Sequence, residues 1–147
     1  MRVTTCGIDD LAEFIGAQRL TLPRGVYARH LVQITAGTAR AIRRREGEAP
    51  LAIVGLYRWP AWTGRPSEAW FMTRDREARG CMTGICAAFR RSLREVARGH
   101  GAAILLRVRP GNRAGEVMAR FAGFRASALV LNGARIWIYG GEHVGRR

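Results

Sequence analysis

The sequence contains no lysine. All 25 of its basic residues are arginine, against 11 acidic residues, which leaves a formal net charge of +14. Cysteine is scarce: Cys6, Cys81 and Cys86 are odd in number and form no Cys-x-x-Cys pair, which excludes a disulfide framework and fits a reducing cytoplasm. Together with three histidines they show no metal-ligand spacing, so no metal is expected. No apolar run approaches the ~18 residues of a membrane-spanning helix, and the N-terminus lacks a basic-then-apolar signal pattern. Neither a Gly-x-Ser-x-Gly nucleophile turn nor a Walker loop occurs. Aromatic residues are few and do not alternate with arginine in a way that suits base stacking. These absences point to a soluble intracellular protein with no membrane partner.

What is present describes a globular chain. Its 147 residues fit one domain, and 48% of them are apolar. A chain of this size buries roughly two-thirds of its unfolded surface, enough for an independent core. The basic excess has two readings: an anionic partner such as nucleic acid, a virion surface or a phosphate-rich cofactor, or a solvated basic surface. Neither repeats nor linkers interrupt the chain. The predicted domain spans 1–147, with 140–147 as a loose tail.

The element order follows from periodicity and punctuation. Residues 2–6 read as a short strand. Asp10 with Glu13 suggests a capping box for a helix over 11–19. A break over 20–25 precedes a second helix over 26–36, which carries Tyr27, His30, Leu31 and Ile34 on one side. Strands are predicted over 38–45, 51–59 and 68–73, with a turn at 47–50 and a loop over 60–66. From 82 to 98 the helical period is clear: Ile85, Phe89, Leu93 and Val96 form one stripe, with Arg90, Arg91, Arg94 and Arg98 off it. Gly99-His100-Gly101 stops that helix. A buried strand over 102–108 and a helix over 113–122 follow. Strands over 126–131 and 135–139 close as a hairpin around Asn132-Gly133. The result is an α/β domain with a mixed, mostly antiparallel sheet and one strand-helix-strand crossover.

Two short patterns carry chemistry. Arg79-Gly80-Cys81-Met82-Thr83-Gly84 is a glycine-bearing turn ahead of the strong helix. Asn112 follows the buried strand, and Gly123-Phe124 stand eleven and twelve residues further on. In this order, with these intervening elements, they resemble the acyl-CoA-binding half of the GNAT superfamily of N-acetyltransferases. The resemblance covers nearly the whole chain and is best from Glu68 to Phe124. The arginine-rich early half and the Glu-Ala-Trp-Phe-Met stretch also resemble acetyltransferase-like proteins encoded by bacteriophages, which would place the chain in a host cytoplasm or a virion.

The resemblance implies a GNAT-like acyl-CoA N-acyltransferase fold and transfer of an acetyl group from acetyl-CoA to an amine acceptor, small molecule or protein, in a ternary complex. By that likeness the backbone of Phe71, Met72, Thr73 and Arg74 pairs with the pantetheine arm, where an N–H can polarise the thioester carbonyl. Arg79, Gly80, Cys81, Met82, Thr83 and Gly84 take the pyrophosphate through main-chain N–H groups at a helix start. Asn112 approaches the pantetheine or the sulfur. Glu68 stands eleven residues before Arg79, where some members hold the general base. It reads alternatively as a partner for one of the arginines. Trp59, Trp62 and Trp70 would line the acceptor pocket, with Trp59 and Trp62 binding the acceptor, or belong to a core and loop cluster. Two positions depart from the family pattern. Met82 replaces a glycine of the turn, and Ala119 replaces the tyrosine that protonates the leaving thiolate. Tyr139, His30 and Tyr27 are other proton carriers that no spacing places. The rival expectation is a non-catalytic GNAT-fold binding module, virion-associated or regulatory, that works through its basic surface. Nucleic-acid binding is a third, less favoured reading.

Overall fold

The computed structural model describes residues 1–18, 24–36, 38–59, 61–98 and 103–140. In chain order these form β1 (Arg2–Thr5), α1 (Ile8–Gln18), α2 (Arg24–Ala36), β2 (Thr38–Arg43), β3 (Ala52–Tyr57), β4 (Ser67–Thr73), α3 (Asp75–Ala78), α4 (Met82–Ala97), β5 (Ile104–Val108), α5 (Arg113–Ala122), β6 (Arg125–Leu131) and β7 (Ala134–Tyr139). Ala61–Thr63 and Arg79–Cys81 are single turns of 3-10 helix. The predicted break over 20–25, the helix stop at 99–101 and the tail over 140–147 fall largely or wholly outside the described residues.

The strands form one sheet in the order β1-β2-β3-β4-β5-β7-β6. Pairs β1–β2, β2–β3, β5–β7 and β6–β7 are antiparallel, and β4–β5 is parallel. A mixed, mostly antiparallel α/β architecture is what the sequence pattern predicts. By packing, the chain divides into two compact units, residues 1–57 with 70–88 and residues 58–69 with 89–147.

In the first unit, β3 is buried from Ala52 to Leu56, so it reads as an apolar run without alternation. The core gathers Leu11 and Phe14 of α1, Ile34 of α2, Ala39 and Ala41 of β2, Ile53 of β3 and Trp70 of β4. Burial of each large side chain stabilises the fold by roughly 1.5–3 kcal/mol. Helix α1 starts earlier than the predicted residue 11. The Leu11 N–H donates to the Gly7 carbonyl, so Gly7 is the N-cap. Asp10 is not the cap but the third helical residue, and its Oδ2 accepts the Gly7 N–H at 2.9 Å. Its other oxygen pairs with Arg43, which fastens the helix start to β2.

In the second unit the two chain reversals follow local rules. Asn132 and Gly133 both take positive φ, at 50° and 73°, as a two-residue hairpin turn requires. Helix α5 ends at Gly123, whose φ of 99° lies in the left-handed region. The Gly123 N–H donates to the Arg120 carbonyl and the Phe124 N–H to the Ala119 carbonyl, the paired bonds of a Schellman cap. Phe124 is thereby turned inward, 6.4 Å from the Phe89 ring and 5.4 Å from the Tyr139 ring. β6 is the last strand of the sheet. Its register with β7 shifts between Ala126 and Val130. There the Ser127 hydroxyl donates to the Ile136 carbonyl and accepts the Leu129 N–H. Leu129, Val130 and Leu131 remain about half exposed.

Replacing Gly123 with alanine places a Cβ in the left-handed region and 3.2 Å from the Tyr139 ring. The substitution should destabilise the protein by about 1–2 kcal/mol, read as a lower midpoint of urea unfolding with an unchanged slope.

Candidate functional site

In the first unit, Phe71, Met72, Thr73 and Arg74 are half-buried. The parallel register of β4 with β5 runs Ser67↔Ile104, Glu68↔Leu105 and Ala69↔Leu106 and ends there. The Arg74 N–H donates to the Leu51 carbonyl at 2.9 Å, and its guanidinium pairs with Glu77 at 3.2 Å. From Asp75 the chain is already helical. The predicted glycine turn, Arg79 to Gly84, is not an open loop: Arg79–Cys81 is a 3-10 turn that runs directly into α4, with Ala78 and Met82 both right-handed helical. Gly80 therefore needs no positive φ. A Cβ there would meet no atom within 4 Å, so the backbone faces open space. At Gly84 a Cβ would come within 2.9 Å of the Met1 side chain, and at that position glycine serves packing.

Arg44, which no sequence pattern singles out, braces this turn. Its Nη2 donates to the Glu77 carbonyl at 2.9 Å and its Nε to Cys81 Sγ at 3.3 Å. The bond to Cys81 raises the proton affinity of the guanidinium, which stays charged in any case. Arg44 and the exposed Arg79 put positive charge at a segment where anion binding is expected. Cys81 is half-exposed, whereas Cys6 and Cys86 are buried. Burial, with Asp10 adding to it and Arg43 opposing, pushes the Cys6 thiol up to about 12. Burial likewise raises Cys86. Neither is a nucleophile near neutral pH.

In the second unit, Glu68 gives both oxygens to Arg107: Oε1 lies 3.0 Å from Nε and Oε2 3.3 Å from Nη2. This is the ion pair that the sequence left open beside the base reading. Asn112 is the N-cap of α5, its Oδ1 accepting the Gly115 N–H at 3.0 Å. Ala119, where the resemblance expects a proton-donating tyrosine, is fully buried. Trp59 is covered by the Arg65 guanidinium, 4.7 Å from its ring. Trp62 is 87% exposed on its 3-10 turn. Among the described residues no group of three or more His, Cys, Asp or Glu side chains is arranged to hold a metal ion, and no helix is long and apolar enough to cross a membrane.

No family model matches the chain, and no curated protein matches it in sequence. Solved structures match it by fold. An acetyltransferase from Agrobacterium tumefaciens str. C58 aligns with a TM-score of 0.66 at 17% identity, over 95% of this chain and 90% of its own. The GNAT domain of S. lividans PAT aligns at 0.67 with 19% identity, over 94% and 89%. The ribosomal-protein-S5-alanine acetyltransferase from Vibrio fischeri aligns at 0.68 with 11% identity, over 98% and 94%. The chain has the fold of the GNAT acetyltransferases.

Sequence reasoning missed the helical state of residues 75–81, although Arg, Glu and Ala at 76–78 are good helix formers. It also missed the brace from Arg44 and the contact of His30 with Trp70, whose rings lie 5.1 Å apart. Burial predicts an order of thiol reactivity. Under native conditions one alkylation should occur, at Cys81; Cys6 and Cys86 should react only after denaturation, as read by peptide mass spectrometry. Asn112→Ala should cost about 1 kcal/mol through loss of the α5 cap, measured by chemical denaturation.

Proposed function

We propose that the chain transfers an acetyl group from acetyl-CoA to an amine by direct attack in a ternary complex. The observation that carries this reading is the helical turn Arg79–Cys81 that opens α4 within a GNAT fold, where Gly80 faces open space and Arg44 and Arg79 supply positive charge. Acetyl-CoA, when bound, supplies an acyl group already activated as a thioester. The backbone of Phe71, Met72, Thr73 and Arg74 would hold the pantetheine arm, and Arg79 to Gly84 the pyrophosphate. The residues present fit such a group: Gly80 opens outward and the nearby arginines are cationic. Asn112 would serve the sulfur end while its Oδ1 caps α5. Glu68, fixed by Arg107, and the Trp59 and Trp62 loop would lie on the acceptor side.

A second reading, CoA binding without turnover, is favoured by the buried Ala119, which removes the usual acid from α5. Calorimetric titration with CoA and acetyl-CoA, run beside Cys81 alkylation, separates the outcomes. Saturable heat together with protection of Cys81 is expected. No heat at millimolar ligand would sink both readings. Binding without turnover of any amine in a panel would select the second.

A further inference from the structure

We propose that the second half of α4 binds the phosphate backbone of a nucleic-acid duplex without reading its sequence. The inference goes beyond the acetyl-transfer reading and does not rest on it. It starts from the uneven use of arginine in the two units. Residues 1–57 with 70–88 hold 11 arginines against seven acidic residues, whereas residues 58–69 with 89–147 hold 14 against four. In the first unit Arg2 pairs with Glu46, Arg43 with Asp10 and Arg74 with Glu77, and Arg44 braces the turn before α4. In the second unit Arg107 is held by Glu68, and Arg65 and Arg120 lie over indole rings. Arg90, Arg91, Arg94 and Arg98 differ. All four are exposed, and no ion pair engages any of them among the described residues.

Helical geometry gathers these four on one face. Arg98 directly follows α4, and its N–H still donates to the Arg94 carbonyl at 3.2 Å, as in a helix. At 3.6 residues per turn the four side chains fall within an arc of about 100°, along about 12 Å of axis. Phe89 and Leu93 take the opposite side and are buried. The partial negative charge at a helix C-terminus accounts for cations at Arg94 and Arg98. It does not account for Arg90 and Arg91 a turn earlier. Glu95, the acidic residue of this stretch, forms no ion pair among the described residues. Arg90–Arg94 and Arg94–Arg98 are like charges one turn apart, which weaken a helix. A polyanion laid along the face reverses that repulsion.

The chemistry of the face selects the polyanion. A duplex carries one negative charge per about 1.7 Å of axis, so about seven lie along the 12 Å of the stripe. The guanidinium fork matches phosphate with two parallel bonds. Residues 89–98 offer no Asn or Gln to read adenine and no exposed aromatic ring to stack on a base. Contact is therefore with the backbone. A helix lying on a membrane surface needs large apolar side chains beside its cations. Among the described residues α4 exposes none.

Fluorescence anisotropy with two short DNA duplexes of unrelated sequence tests this. Both should bind the wild type with similar affinity. Between about 50 and 200 mM salt that affinity should fall about 100-fold or more, a log–log slope near −4. Replacing Arg90, Arg91, Arg94 and Arg98 together with glutamine, a comparably good helix former, should flatten the slope by about 3.6, and each single replacement by about 0.9. Arg24→Gln with Arg45→Gln, at exposed positions of the first unit, should leave the slope unchanged. No saturable binding at about 50 mM salt, a strong preference for one sequence, or an unchanged slope in the fourfold variant would overturn the proposal. Tighter binding to phosphatidylserine vesicles than to either duplex would overturn it in favour of a membrane surface. Independently of any variant's folding, duplex DNA should shield Arg90, Arg91, Arg94 and Arg98 of the wild type from an arginine-specific dicarbonyl and leave Arg24 and Arg45 reactive, as read by peptide mass spectrometry. Equal modification of the four with and without DNA would also overturn it. None of these results bears on CoA binding, which the calorimetric titration decides.

Discussion

Ser67, Glu68 and Ala69 of β4 lie beside Ile104, Leu105 and Leu106 of β5 and run in the same direction. Parallel neighbours cannot be joined by a hairpin, so the chain between them must cross over, and residues 74–103 do so with α3 and α4. The crossover brings the start of α4 to the end of β4, with Arg74 to Cys81 as the bridge. The parallel register pairs residues 67–69 with residues 104–106. Within β4 the division falls between Ala69, the last residue of that register, and Trp70. On the near side of it Glu68 is tied to Arg107. On the far side Trp70 anchors the contact with His30.

The absence of lysine has a structural counterpart. The guanidinium groups act as rigid forks that reach two acceptors at once. Arg107 spans both oxygens of Glu68, and Arg44 spans a carbonyl and a thiol on consecutive turns. Arg43 joins Asp10 to Thr4, binding α1 and β1 to β2. An ammonium has three donors but no planar fork, so it would not fix the angle between the two acceptors of each pair. Part of the positive charge is thus committed to cross-linking elements distant in sequence. The exposed arginines of α4 are outside that role among the described residues.

Local rules made much of this fold legible. The stripe of Ile85, Phe89, Leu93 and Val96 predicts α4, and the first three are buried. Asn132-Gly133 predicts the hairpin to within a residue at each end. Gly123-Phe124 is readable as a helix stop with an inward aromatic, and Asn112 stands where an N-cap belongs. The start of α1 was misplaced because an acidic residue can cap from the N-cap or from the third helical position, and only the Gly7 hydrogen bonds decide between them. The candidate site was less legible. The order of its two motifs is local, but the fate of Glu68, the brace at Arg44 and the seating of His30 depend on side chains more than 30 residues away. Ala119 is a special case: its missing hydroxyl shows in the sequence, its inward direction only in the packing.

The shifted register in β6 bears on how copies of this protein meet one another. An edge strand ending in Leu129, Val130 and Leu131 would, if regular, offer a straight ladder of amides to any passing strand. The shift between Ala126 and Val130 interrupts that ladder, and Ser127 satisfies locally the groups that the interruption displaces. A single hydroxyl thus stabilises an irregularity whose benefit lies between molecules rather than within one. An edge interrupted in this way is a poorer template for strand pairing between two copies.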